Sequence, residues 1–270
     1  SVMRLKEENP ELNNIVKSYN LRGFSFREFL NLKTGNHFRP YTLDEILRNH
    51  ERIVKDILPK VSPLSFFQDY LHHGFYPFFQ EQRNYSENLL KTMNMVTEVD
   101  ILLIKQIELK YLTKIKKLFY LLALEGNKAP NVSWLAQEIE TSRATVMNYI
   151  KYLADARLIN MIYPKGCEFP KKPSKVMMHN TNLMYAIYPI AVKRQDVMET
   201  FFVNTMWKDH NVNQGAKDDF YLVDGSLKFK ICNANDFEKK KFRQDTIYAR
   251  YNTEVGKDNL IPLWLLGFLY

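Results

Sequence analysis

The chain has 270 residues, of which 46% are hydrophobic and 25% are charged. This length leaves room for two or three domains with buried cores, and the charged fraction is ordinary for a soluble protein. The 38 Lys and Arg residues outnumber the 30 Asp and Glu residues, which favours an anionic partner but leaves the fold open.

The cysteines and the apolar runs exclude several classes of protein. Cys167 and Cys232 lie far apart without CxxC spacing, which argues against a metal site or a disulfide framework and fits a reducing cytoplasm. The terminal apolar run Ile261–Tyr270 is shorter than the ~20 residues that cross a bilayer. We therefore expect a cytoplasmic protein without a membrane partner, and we expect this run to form a buried terminal strand.

Positive charge is concentrated in the middle of the chain. The stretch from Ile101 to Lys175 contains 13 Lys and Arg residues against six Asp and Glu residues, a net charge of +7. Either it is a solvated basic face or it is a surface that binds phosphates.

Helix starts are clear in the first third. Ser25 with Glu28, and Thr42 with Glu45, each have the spacing of a capping box, which predicts helices from about Phe26 and Leu43. Proline at the first helical position after Ser62 predicts a third start. The pattern stays helical to about Leu122, with a break at 71–77 that contains Gly74 and Pro77.

The last hundred residues have a different pattern of apolar and polar residues from the rest of the chain. Short apolar runs alternate with polar turns, and Asp224-Gly225 between two runs predicts a hairpin. A helical pattern lies near Val197–Trp207. The sequence thus predicts a mainly α protein over its first two thirds and an α/β domain at its carboxyl end.

Residues 133–153 have the pattern of a helix-turn-helix. We predict a first helix from Ser133, as N-cap, to about Glu140, and a second from Arg143 capped by Ser142. The segment 159–166 then suits a wing hairpin.

In such a module the second helix enters the major groove of DNA. Its predicted DNA-contacting residues are Ser142, Arg143, Thr145, Asn148 and Lys151. Arg143 is suited to guanine and Asn148 to adenine, while Lys151 is suited to phosphate. The alternative is that the module packs against a neighbouring domain or protein.

Several short sequence motifs together resemble those of one family, the prokaryotic AAA-type ATPases with a carboxyl-terminal domain related to restriction endonucleases. The segment 21–30 is similar to the family's LPGLSFREFL, 70–77 to its YL..GGYP, and 175–183 to its KIYLDNTNL. The resemblance extends over nearly the whole chain. It implies an edge of the ATPase core at 1–40, a helical lid at 41–122, a winged helix at 123–170 and a restriction-endonuclease-like domain at 171–270.

The chain departs from this family at the nucleotide site. It contains no G-x-x-x-x-G-K-[ST] phosphate loop, and Asn13 and Asn14 stand where the family tends to carry arginines. We therefore expect no cofactor in this chain, with ATP and Mg²⁺ bound only by the missing core of a longer parent protein.

The residues at the predicted nuclease-type centre also differ from the family's pattern. Such nucleases hold Mg²⁺ with carboxylates on adjacent strands and on a helix, and here the remnants are Glu199, Asp219 and Lys230. The second predicted strand, 227–231, has Lys228 and Lys230 where the metal site needs a carboxylate, and His179 replaces an aspartate of the family's motif. We therefore expect weak metal binding and assign no metal ligands. Ordinary capping or surface roles for Glu199 and Asp219 are the favoured interpretation.

The sequence leaves three functions open. The leading hypothesis is a DNA-binding winged-helix module, attached to a degenerate nuclease-like domain, in an ATPase. The alternatives are a protein-interaction or dimerisation module and a metal-dependent nuclease.

Overall fold

A computed structural model describes residues 21–81, 84–101, 107–190, 192–215, 220–233 and 243–270, together with Glu11 and Ile15. Three residues singled out in the sequence, Asn13, Asn14 and Asp219, lie outside these ranges. The predicted order of a helical part followed by a mixed α/β part is confirmed.

Helices dominate the first part of the described chain. Their bounds are α1 Phe26–Thr34, α2 Leu43–Ile57, α3 Pro63–His73, α4 Tyr85–Met95, α5 Leu112–Glu125, α6 Val132–Glu138, α7 Arg143–Asp155, α8 Thr181–Ile187 and α9 Arg194–Met206. The strands are β1 Ile159–Ile162, β2 Lys175–Met178, β3 Val212–Gln214, β4 Phe220–Val223, β5 Leu227–Cys232, β6 Thr246–Arg250 and β7 Leu260–Pro262. Across the described ranges, no helix has both the length and the apolar character needed to cross a membrane.

The predicted helix starts are confirmed. The Ser25 hydroxyl accepts from the amide of Glu28 at 3.2 Å, and the Glu28 carboxylate accepts from the amide of Ser25 at 2.9 Å. Thr42 and Glu45 form the same reciprocal pair at the start of α2. These bonds satisfy amides that have no partner within the helix. The helix after Ser62 begins at Pro63, although the Ser62 side chain makes no capping hydrogen bond.

Three segments that are distant in the chain meet at the end of α3. The amide of Phe24 donates to the carbonyl of Phe75 at 2.8 Å, and the amide of Phe75 donates to the side chain of Asn182 at 2.8 Å. Asn182 in turn donates to the carbonyl of Leu71. Gly23 lies against this contact, and a Cβ there would stand 2.4 Å from the Phe75 oxygen. The phrases at 21–30, 70–77 and 175–183 are thus parts of one packed junction.

The described residues form two sheets, which α8 and α9 separate along the chain. Strands β1 and β2 pair antiparallel, with Ile159 opposite Met178 and Ile162 opposite Lys175. The predicted boundary between residues 170 and 171 falls in the connection between these paired strands. The other sheet has the order β3-β4-β5-β6-β7, antiparallel from β3 to β5 and parallel from β5 to β7.

The predicted hairpin at Asp224-Gly225 is confirmed, because β4 and β5 pair antiparallel on either side of it. Both turn residues have positive φ, 49° for Asp224 and 71° for Gly225, and these are the residue types that tolerate it.

The terminal run is buried as predicted, but most of it is not a strand. Only Leu260–Pro262 forms β7, and Leu263–Phe268 forms a 3₁₀ helix that packs on α1, α2 and α9. A continuous apolar run has no period that distinguishes a buried strand from a buried helix. Through this packing, the two ends of the described chain share one hydrophobic core.

Candidate functional site

The helix pair α6 and α7 contains the residues predicted to contact DNA. Helix α6 begins at Val132, because the side chain of Asn131 accepts from the amide of Trp134 at 3.2 Å. The prediction of Ser133 as N-cap was therefore wrong by two residues. Helix α6 ends at Glu138 rather than Glu140, which has a left-handed φ of 50°.

The start of α7 matches the prediction. Helix α7 begins at Arg143, and the Ser142 hydroxyl accepts from the amide of Thr145 at 3.1 Å. The two hydroxyls of Ser142 and Thr145 also share a hydrogen bond at 2.8 Å. Both side chains therefore stabilise the amino-terminal end of α7, which leaves fewer of their hydrogen-bonding groups available to a ligand.

The two faces of α7 have opposite characters. Its inward face buries Val146, Tyr149, Ile150 and Leu153. Arg143 and Asn148 are exposed, and neither side chain has a hydrogen bond or an ion pair among the described residues. These two side chains are free to bind a partner.

Ala144 is a residue that sequence reasoning missed on this surface. It is exposed and lies four residues before Asn148, so the two share one line along α7. A methyl group at such a place suits contact with a thymine methyl. The helical spacing was available in the sequence, but alanine carries no signal of its own.

Lys151 is less available than predicted. It forms an ion pair with Asp155 one turn later, and its side chain is only 30% exposed. On the other side of the turn, Lys114 of α5 donates to the carbonyl of Glu140 at 2.6 Å, and Lys117 contacts the end of α6 at Glu138. Lysines at a helix carboxyl end are favoured by the helix dipole. The turn before α7 is consequently flanked by positive charge.

The basic stretch from Ile101 to Lys175 is partly neutralised within the fold. Among the described residues of this stretch, six lysines form ion pairs with carboxylates: Lys110, Lys116, Lys117, Lys128, Lys151 and Lys175. The remaining described cations of this stretch have no carboxylate partner: Lys114, Arg143, Arg157, Lys165, Lys171 and Lys172. Apart from Arg157, just before β1, these cations flank the α6–α7 turn or lie in the β1–β2 connection.

Glu199 belongs to a buried polar cluster, which we call the joint network: Lys175, Gln195, Glu199 and Tyr221. The Glu199 carboxylate accepts from Lys175 at 2.9 Å and from the Tyr221 hydroxyl at 2.5 Å, both on Oε2. Gln195 donates to Oε1 at 3.0 Å. Burial, followed by the Glu199 charge, raises the pKa of Tyr221 well above its usual value, so the hydroxyl remains a donor. The network joins β2, α9 and β4.

The structure does not bring Glu199 and Lys230 together. Phe202 of α9 contacts Tyr221 and Phe229 at ring separations of 5.4 and 5.2 Å, which identifies the sheet face that α9 covers. Side chains alternate along a strand, so Lys230 points to the other face, where it lies over the Phe220 ring. Asp219 is not among the described residues. Within those residues, no group of three His, Cys, Asp or Glu side chains could hold a metal ion.

His179 is half-buried within the junction of residues 21–30, 70–77 and 175–183. Its Nδ1 lies 3.0 Å from the side-chain oxygen of Asn160, and its carbonyl accepts from Asn204 at 2.9 Å. Burial, and then the charges of Arg22 and Arg157, lower its pKa from 6.5 to about 3. The ring is therefore neutral at physiological pH and donates from Nδ1 to Asn160.

Comparisons with known proteins give similarity without a function. Residues 65–194 match a family described as a domain of unknown function, DUF8612. This region extends from α3 through α7, the β1–β2 hairpin and α8 to the first residue of α9. No solved structure matches the chain.

A curated relative is the "Uncharacterized protein MJ1637" of Methanocaldococcus jannaschii. It is 26% identical over 172 residues, which cover 62% of this chain and 36% of that protein. The match therefore spans about a third of the length of this relative.

Proposed function

We propose that this chain binds duplex DNA through a winged helix-turn-helix formed by α6, α7 and the β1–β2 hairpin, with α7 as the helix that enters the major groove. The observation that carries the proposal is the free, exposed pair Arg143 and Asn148 in the first half of a helix whose opposite face is buried. Arginine and asparagine are the side chains that read guanine and adenine edges.

The distribution of unpaired cations supports this proposal. Lys114 and Arg143 flank the turn before α7, and Lys165, Lys171 and Lys172 lie in the β1–β2 connection, the position of a wing. Phosphate contacts from such cations provide most of the sequence-independent affinity for DNA. We assign Arg143 and Asn148 to base contacts, and Lys151 to a phosphate contact that requires release from Asp155.

We further propose that the chain is part of a longer ATPase, whose core holds ATP and Mg²⁺. Support comes from the resemblance of the three phrases and from a relative that extends well beyond the matched region. DNA bound at α7 would then influence ATP hydrolysis by that core. The α/β part would serve as a scaffold for the winged helix, because Glu199 is buried and both of its oxygens are bonded to Lys175, Gln195 and Tyr221.

The test is fluorescence anisotropy of a labelled random duplex across a salt series. We expect binding that weakens steeply with salt. An Arg143→Ala/Lys151→Ala variant loses one base contact and one phosphate contact, so it should bind more weakly, and the slope of log K against log salt should decrease by about 1. Arg48→Ala is the matched control, because Arg48 is an exposed cation on α2 paired with Asp44.

Two outcomes would reject DNA binding by α7. One is the absence of binding even at low salt. The other is a double variant that binds as the wild type does. An Asn148→Ala variant then separates recognition of bases from contact with phosphates, because it should relax sequence preference at one position without changing the salt slope.

A further inference from the structure

A pocket of about 520 Å³ lies between the β1–β2 connection and the edge of the five-stranded sheet. Its walls come from β1 and the residues after it, from the end of α9, from β3 and from the β4–β5 turn. This volume is in the range of pockets that hold small molecules. The pocket lies beyond α7 in the chain and shares with the proposed DNA-binding surface only Lys165, on its rim.

The pocket combines three kinds of chemistry. Trp207, which is partly exposed, and Met161 provide an aromatic and polarizable wall. Asn211 and Asn213 offer amide groups, and Asp224 offers a carboxylate. Lys165 lies on the exposed rim and donates to the carbonyl of Gly225 at 3.3 Å.

Asp224 is held in place before any ligand arrives. Its two oxygens accept from His210 Nδ1 at 2.7 Å and from the amide of Asn211 at 2.9 Å. Partial burial would raise the pKa of this carboxyl, but these hydrogen bonds hold it below its usual value. A carboxylate has lone pairs for further bonds, so Asp224 remains an acceptor for an amino group.

We propose that this pocket binds a nucleotide, with the base against Trp207, its edge hydrogen-bonded to Asn211, Asn213 and Asp224, and its phosphate at Lys165. Stacking on aromatic side chains is a general way to hold a base. A free phosphate would not use the aromatic wall and would be repelled by Asp224. A purely apolar ligand would form no hydrogen bonds with Asn211, Asn213 or the remaining lone pairs of Asp224.

The nucleotide has two possible sources, a free nucleotide or an unpaired nucleotide of a single strand. Calorimetry on the full chain with adenosine monophosphate, adenosine, inorganic phosphate and a hexameric oligodeoxyadenylate distinguishes them. We expect saturable binding of the monophosphate and none of inorganic phosphate. The oligomer should bind more tightly than the monophosphate if a strand is the source, and no more tightly if the free nucleotide is.

Two variants test the assigned roles. Trp207→Ala should weaken monophosphate binding by about fivefold or more, the effect of losing a stacking ring. Lys165→Ala should weaken monophosphate binding about tenfold and leave adenosine binding unchanged, because it removes a charge-assisted contact. Arg143→Ala is the control: it should leave nucleotide binding unchanged, so failure here is distinguishable from failure of DNA binding at α7.

A fluorescence measurement keeps the test independent of folding in Trp207→Ala. The chain has three tryptophans, and Trp264 is fully buried. Quenching by adenosine monophosphate should persist in Trp134→Phe and disappear in Trp207→Phe. The proposal is overturned if neither the monophosphate nor the oligomer binds, if inorganic phosphate binds as tightly, or if both pocket variants behave as the wild type.

Discussion

The start of α7 and the joint network both contain polar side chains that the sequence marked as candidates, yet their surroundings are opposite. Arg143 and Asn148 are exposed and have no partner among the described residues. Glu199 is 7% exposed, and both of its oxygens are occupied by neighbours. A polar group that is already satisfied inside the fold stabilises structure, whereas an exposed and unpaired group is available to a ligand.

Two Lys–carboxylate ion pairs show the same contrast between solvent-exposed and buried surroundings. Lys151 and Asp155 lie one turn apart at the edge of α7, where solvent weakens their attraction. Lys175 and Glu199 come from different elements and are almost completely buried, with side chains 11% and 9% exposed. Removing one partner of the buried pair leaves an uncompensated charge, so substitutions test the comparison directly.

The largest effect is expected from Glu199→Ala. It leaves the Lys175 ammonium buried without a counter-charge, and we expect the free energy of unfolding to fall by about 3–5 kcal/mol. Urea denaturation measures this change. The matched control is Lys175→Met/Glu199→Leu, which removes both charges and should be much less harmful. A loss below about 1 kcal/mol in Glu199→Ala would mean that the network is not structural.

Tyr221→Phe should have the next largest effect. It deletes one hydrogen bond to the Glu199 carboxylate while keeping the ring against Phe202. A hydrogen bond to a charged group contributes about 1.5–3 kcal/mol, so we expect a loss in that range in the same denaturation experiment. Tyr120→Phe is the control, since Tyr120 is 46% exposed. Equal effects of the two substitutions would contradict the importance of the network.

The pH dependence of stability should report His179. Its folded pKa is lowered to about 3 from 6.5, so between these values the unfolded chain binds a proton that the folded chain does not. This contribution to stability therefore decreases as pH falls from about 6.5 towards 3. His179→Gln should flatten that part of the profile, measured as the urea midpoint against pH. His37→Gln, at an exposed histidine, should not; identical profiles for all three proteins would exclude His179 as the titrating group.

The smallest effect concerns the caps of the helix pair. Ser142→Ala removes the side chain that accepts from Thr145, and it should cost about 1 kcal/mol of stability. Ser133→Ala should be nearly neutral, because Asn131 caps α6 instead. Thermal unfolding of both variants checks this pair of expectations, and a larger loss in Ser133→Ala would restore the original assignment of the cap.

Local signals predicted much of the secondary structure. The two capping boxes, the Ser142 cap and the Asp224-Gly225 turn were all found from neighbouring residues, because a cap or a turn depends on side chains within four positions. The start of α6 was missed because Asn131 and Ser133 are both good caps, and only the packing of Val132 as the first buried residue distinguishes them. The candidate surface on α7 was predicted by helical spacing in the same way.

The candidates in the α/β part required the tertiary structure. Lys175, Glu199 and Tyr221 are separated by more than twenty residues, and nothing local to any of them indicates that they meet. Lys230 was grouped with Glu199 by analogy, whereas strand alternation places it on the other face of the sheet. The pocket at Trp207 was not anticipated at all, because its residues come from the end of α9, two strands and two loops.

By itself, the sequence determined the order of helical and α/β parts, the helix ends with strong caps, and the two-faced character of α7. Only the tertiary structure decided that the Glu199 carboxylate is hydrogen-bonded by Lys175 and Tyr221. It also decided that the terminal run becomes a 3₁₀ helix beneath α1 and α2, and that a pocket opens beside the β1–β2 connection. The physical reason is the sequence separation over which each kind of interaction acts. Caps, turns and helical periodicity act over a few residues, while burial, charge pairing and cavities depend on which distant segments pack together.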